Sequence, residues 1–320
     1  MTSPSRRAER NEDHVPARGA VLLIDKPLGP TSFDVVARVR RAVGNRRVGH
    51  TGTLDPLATG LLVVCLGEAT KLSPFLTAES KAYVATLRLW LETESGDVDG
   101  RTLHEATPDA LAALREADVL GVLRRFRGAI EQRPPPQSAV KVGGQRMYAL
   151  ARAGEVVEVP LRQVSVQHLE ATRLALPEVE LEVSCSKGTY IRSLAIDLGR
   201  ALGVGGHLTA LRRTCVGPLS ISQAVSLERL EADPAGVMAA FALSPAAALA
   251  HFPVLHVDDQ LARSIRDGKV ARATGLAAGV ALALDARLDL VAILEVNEAG
   301  DARVTRGFGG DLSREGHKEA

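Results

Sequence analysis

The segment GLLVVCLG (60–67) sets six uncharged apolar residues between two glycines. A run this short and this rich in branched side chains reads as a buried strand. GAVLLID (19–25) has the same character. Around these runs, strand and helix patterns mix without a βαβ rhythm, so the expected fold class is α+β. At 320 residues, the chain can hold one large domain with a small appendage, or two ordinary domains.

KPLGPTS turns the chain after the first strand, with Ser32 expected to cap the helix FDVVARVRRAVG and Gly44 to end it. KAYVATLRLWLE alternates, placing Tyr83, Ala85, Leu87, Leu89 and Leu91 on one face. Helical patterns follow at 109–117 and 120–126. Residues 132–154 hold three consecutive prolines and Gly143–Gly144, and are expected to project as a basic insertion (about 132–155). EVELEVS (178–184) reads as a strand. A Lys-Gly-Thr turn then leads to a helix with Ile191, Leu194, Ala195 and Leu198 on one stripe. Beyond about Leu249 the texture becomes that of a small β-rich unit with one helix. The expected division is a polar tail at 1–18, a main domain at 19–248, a small domain at 249–310 and a polar tail at 311–320.

Several function classes fall away. Residues 1–18 lack the apolar core of a signal peptide, and the apolar run 273–284 is too short to cross a bilayer, so no membrane association and a cytoplasmic location are expected. Cys65, Cys185 and Cys215 are odd in number and far apart, which suits buried thiols better than disulfides or a zinc site. No phosphate-binding GxxxxGK[ST] loop, serine elbow or metal-ligand histidine spacing is present. The net charge of +1 excludes nothing, but arginines cluster. Five occur between Val35 and Leu54 without an acid, six basic residues occur at 124–146, and five at 184–218. The compensating acids sit in ETESGDVDG at 92–100. The clusters read either as one face for a polyanion or as solvated helix surfaces.

GHTGTLDPLATG (49–60) gathers three glycines, three threonines, His50 and a single carboxylate, Asp55. Asp55 followed by Pro56 would make a good helix cap. A cap needs neither the flanking glycines nor the neighbouring arginines. The alternative is a carboxylate in a basic cleft, acting on an electrophilic carbon of a nucleoside. Asn serves as a cap but not as an anionic nucleophile, so Asp55→Asn separates the two.

The segments VLLIDKPLGPTS, GHTGTLDPLATGLLVV, KAYVATL, SAVKVGGQRMYALARAG and CSKGTYIRSLAIDLGRALG, in this order, resemble the TruB family of bacterial tRNA pseudouridine-55 synthases over roughly residues 21–219. The resemblance implies a mixed, largely antiparallel central sheet with helices and a thumb-like insertion, followed by a PUA-like RNA-binding unit. It implies a uridine in the tRNA T-loop as substrate, with no cofactor, no metal, a monomeric chain and no protein partner. By motif position, Asp55 resembles the family's catalytic aspartate, which could attack C1′, attack base C6 or remove a ribose proton. Tyr83 would stack on the flipped base and assist loss of the C5 proton, or be an inward strand aromatic. Arg192 would pair with the aspartate, or be a surface arginine at a helix start. Tyr190 would wall the pocket, or be a core tyrosine. His50 would wedge into the T-loop, against an ordinary structural histidine. Lys26 and Pro27 would line the pocket, against a turn-exposed lysine. Leu211 would contact the base, against a core leucine. Lys141 and Tyr148 would reach RNA from the insertion, against a solvated lysine and a locally packed tyrosine. Gln137 departs from the family, where tyrosine is frequent.

Overall fold

The two apolar runs pair with each other. Ala20–Lys26 lies antiparallel to Ala58–Leu66, with Ile24 opposite Leu62. The computed structural model describes residues 15–135 and 160–309, with the backbone of 141–142 and 145–146. Its main sheet runs in the order Val225–Ser226, Ala20–Lys26, Ala58–Leu66, Gly206–Val216, Lys81–Leu89, Glu178–Cys185, Arg162–Ala175 and Gly128–Gln132. Two of these neighbours pair in parallel: Ala20–Lys26 with Val225–Ser226, and Ala58–Leu66 with Gly206–Val216. The others are antiparallel, which is the mixed, largely antiparallel sheet expected.

Alternation along a strand sends successive side chains to opposite faces, so the apolar runs need cover on both sides. Leu22, Ile24, Leu62 and Val64 share one core with Val35 and Val39 of the helix Ser32–Val43. That core continues to Leu194 and Leu198 of the helix Ile191–Ala201, which packs on Gly206–Val216 and Lys81–Leu89. Val21, Leu23, Leu61 and Val63 face the other way. There they meet Leu282, Leu284, Ile293 and Phe308 of the C-terminal part. That part is a five-stranded sheet, Val254–His256, Gly279–Leu284, Leu290–Val296, Asp301–Gly307 and Ala271–Arg272, carrying the helix Asp259–Arg266.

Three local expectations need correcting. The helix Ser32–Val43 is capped by Thr31, whose side chain accepts from the Asp34 N–H while Asp34 accepts from the Thr31 N–H. Ser32 is instead turned inward and buried. The alternating strand stops at Leu89, because Trp90 takes φ 125° and Leu91 begins a separate two-stranded pair with Thr102–Glu105. Cys65 and Cys185 are buried and burial pushes their thiols up to about 12 and about 11, but Cys215 is only half-buried.

Candidate active site

The stretch around Asp55 is stitched to the turn that precedes the first helix. The Ser32 hydroxyl donates to the Leu54 carbonyl at 3.0 Å and accepts from the Leu54 N–H at 2.8 Å. Gly29 N–H donates to Pro56 O at 3.0 Å. The fully buried Lys26 ammonium donates to Ala58 O at 2.7 Å and Pro27 O at 2.9 Å, with Pro56 O at 3.5 Å. Asp55 caps no helix: Pro56 and Leu57 turn, and the strand begins at Ala58. The glycine in that strand serves the sheet rather than a ligand. Gly60 takes φ 96°, and a Cβ there would lie 2.3 Å from Arg213 O on the paired strand.

Asp55 Oδ2 lies 2.9 Å from Arg192 Nε. Asp55 remains 37% exposed at its side chain while Arg192 is 5% exposed, so the acid faces the opening and the guanidinium lies behind it. Arg192 is the second residue of the Ile191–Ala201 helix, where the helix dipole disfavours a cation. Acceptors on its far side offset this. Ser95 O accepts from Arg192 Nη1 at 3.0 Å, and Asp97 Oδ2 lies 3.8 Å from the same nitrogen. Burial pushes the Asp55 carboxyl above its ordinary range. Arg192 opposes this, Asp97 adds to it and Lys26 opposes it; burial prevails.

Asp55 and Arg192 open onto a cleft of about 300 Å³. Tyr83, Tyr190 and Leu211 line it, together with Lys81, Thr77, Arg213 and residues 51–54 and 186–189. Tyr83 is half-buried against the core, and burial holds its phenol well above the ordinary value despite a hydrogen bond with Arg213. Arg213 is 2% exposed and donates to Leu61 O at 2.7 Å and Gly52 O at 3.0 Å, so it braces the loop from below. Tyr190 is held through its backbone by Gln132, whose amide accepts from Tyr190 N–H at 2.7 Å and donates to Tyr190 O at 3.0 Å. Lys26, Pro27 and His50 do not line the cleft. Lys26 lies behind Asp55 as a tie between carbonyls. His50 is half-buried beside the loop, and burial together with Arg213 lowers its basicity. The side chains of Lys141, Tyr148 and Gln137 lie outside the described residues.

Asp97, Gln132, Lys81 and Arg213 were passed over in the sequence. Lys81 and Arg213 stand in KAY and LRRT, two residues from Tyr83 and Leu211 and so on the same strand faces, a signal that was there to read. Asp97 carried none: ETESGDVDG looks like a solvated loop, yet Asp97 is 6% exposed and backs Arg192. The idea that acids collect away from the arginines therefore fails. Arg38 forks onto Glu231, Arg200 onto Glu92 and Arg212 onto Asp25, and Arg47 pairs with Glu68. Among the described residues no cluster of His, Cys, Asp and Glu suits a metal ion, and no helix is long and apolar enough to cross a membrane.

Comparison with known proteins matches residues 40–191 to the TruB family pseudouridylate synthase (N terminal domain) and residues 192–237 to the tRNA pseudouridylate synthase B C-terminal domain. The chain is 43% identical to the tRNA pseudouridine synthase B of Corynebacterium diphtheriae over 87% of its own length and 93% of the relative's. It is 46% identical to that of Thermobifida fusca over 91% and 98%. Its fold is similar to a chain in the crystal structure of a Cbf5-Nop10-Gar1 complex, with a TM-score of 0.67 and 26% identity over 91% of this chain and 84% of that one. A chain of an H/ACA RNP bound to a substrate RNA containing 2′-deoxyuridine shares the fold, with a TM-score of 0.71 and 24% identity over 95% and 93%. Likeness of this depth, running through both matched segments of one continuous sheet, makes the chain a member of the TruB family of pseudouridylate synthases.

Proposed function

We propose that this chain converts uridine 55 in the T-loop of tRNA to pseudouridine, as a cytoplasmic monomer needing no protein partner. The target atoms of a stacked base are out of reach, so the nucleotide leaves its stack and enters the cleft. The base stacks on Tyr83, with Tyr190 and Leu211 as walls. Asp55, ionised against Arg192, acts on the ribose or on the base, and the N1–C1′ bond breaks. The uracil turns, C5 bonds to C1′, and the C5 proton leaves, assisted by the Tyr83 hydroxyl. N1 takes up a proton, so that the product is an isomer of the substrate. Attack at C1′, attack at C6 and removal of a ribose proton all fit a single carboxylate. His50 supports the extruded conformation. Lys26 and Pro27 hold the loop's rear, and Lys141 and Tyr148 of the insertion contact the RNA. Residues 19–248 form the catalytic unit, and residues 249–310 a PUA-like unit that binds the rest of the tRNA.

The observation that carries this reading is the open acid backed at 2.9 Å by a sequestered guanidinium. The test is chemical mapping of pseudouridine in an unmodified T-arm transcript treated with the purified chain alone. Wild type is expected to modify the loop uridine, and Asp55→Asn to bind the same transcript yet leave it unmodified. Full activity in Asp55→Asn would overturn the mechanism. A wild-type chain active only with added protein or guide RNA would overturn the claim that it acts alone.

A further inference from the structure

Phe33 stands out among the phenylalanines. It is 63% exposed, whereas Phe308 is buried and Phe75, Phe126, Phe241 and Phe252 are half-buried. The inward face of its helix is filled by Val35, Val36, Val39 and Val43, so the core does not require it. Its ring meets His50 edge to face, with centroids 5.4 Å apart and planes at 77°. Gly52 N–H donates to His50 Nδ1 at 3.3 Å, which leaves the imidazole proton on Nε2 and the ring uncharged. The two rings make an apolar aromatic corner. Its position is fixed relative to the reactive acid, because Ser32, the preceding residue, holds both backbone groups of Leu54. On the same helix Arg38 forks onto Glu231, and Arg40 donates to Val48 O at 3.3 Å.

We propose that Phe33, backed by His50, is a binding subsite for a second unpaired nucleobase of the RNA substrate, stacked on the open face of the ring while the target base occupies the cleft beside Asp55. This rests on the proposed function and adds a contact that the cleft itself does not supply. Any base has a π-face, so the subsite selects an unstacked base rather than a particular sequence.

Binding of an unmodified T-arm hairpin is measured for wild type, Phe33→Ala, Phe33→Leu and Phe33→Trp, each checked for an unchanged melting temperature. Loss of a stacked base weakens binding on the order of tenfold. Phe33→Ala and Phe33→Leu are expected to show this, whereas Phe33→Trp binds like wild type and its added indole emission is quenched by RNA. Wild-type affinity in Phe33→Leu would make the ring mere apolar support for His50 and overturn the proposal. Phe33→Ala within twofold of wild type would do the same. If those results came while wild type still formed pseudouridine in the hairpin, only this inference would fall. A wild type that neither bound nor modified the hairpin would remove both readings.

Discussion

Two carboxylates share one buried arginine, and their unequal exposure divides the work. Asp97 is enclosed and holds Arg192 from behind, while Asp55 meets the cleft. A buried ion pair yields little net stability once desolvation is counted. What it secures here is the direction of the Asp55 carboxylate. Lys81, like Lys26, is a charge that burial disfavours. It is 8% exposed and donates to Thr77 O at 2.7 Å and to Glu79 O. Burial first, then Arg213, lower it to about 8, with Glu79 opposing. An unfolded lysine titrates near 10.5, so between about 8 and 10.5 the unfolded chain holds more protons at this site than the folded one. Stability contributed by Lys81 therefore rises with pH across that window and is flat below it. The expected outcome is that wild type gains stability relative to Lys81→Met as urea midpoints are taken from pH 7.5 to 9.5; a gap that narrows in wild type's disfavour would refute it. Asp55 and Arg192 were legible because their motifs are short and specific. Asp97 was not, because nothing local in ETESGDVDG announces that a helix start will fold against it.

At the level of elements, periodicity located faces better than ends. The strand over residues 81–89 puts Ala85, Leu87 and Leu89 in the core as alternation requires, and the stripe Ile191, Leu194, Ala195, Leu198 is buried throughout. Backbone turns inside a pattern were invisible: a tryptophan at φ 125° ends one strand without any Gly or Pro to mark it. The cap moved by one residue because Thr31 and Ser32 are equivalent in chemistry, and only the tertiary bond to Leu54 decides which hydroxyl faces inward. Gly60 shows the reverse, a residue whose type is forced by a pairing far away in sequence. Gly60→Ala would place a methyl on the Arg213 backbone at a positive φ. A cost of about 2–4 kcal/mol is expected from overpacking and strain together. Urea unfolding reads it, and a loss under about 0.5 kcal/mol, the range of ordinary surface changes, would mean that the two strands part easily.

Across the whole molecule, the strands Ala20–Lys26 and Ala58–Leu66 are covered by different partners on their two faces: helices on one, and the C-terminal sheet with Leu72 and Leu76 on the other. Phe308, 2% exposed, closes the second layer, and Lys71 donates to Gly307 O at 3.0 Å beside it. Phe308→Ala is expected to remove about 3–5 kcal/mol from the unfolding of the entire molecule in one transition. A separate early transition confined to the C-terminal part would show that the two sheets are stable apart. The arginine clusters illustrate what composition hides at this scale. Counting them suggested a polyanion-binding face, yet Arg38, Arg47, Arg200 and Arg212 are paired with acids from distant segments, and no local count foretells such pairing. The pair of Asp55 and Arg192 is assembled in the same long-range way. During synthesis Asp55 leaves the ribosome early, whereas Arg192 and then the brace Arg213 follow only after most of the sheet's strands. A half-made chain thus carries Asp55 with neither the guanidinium behind it nor the brace under its loop, and the site is whole only once the late strand Gly206–Val216 takes its place between its two older neighbours.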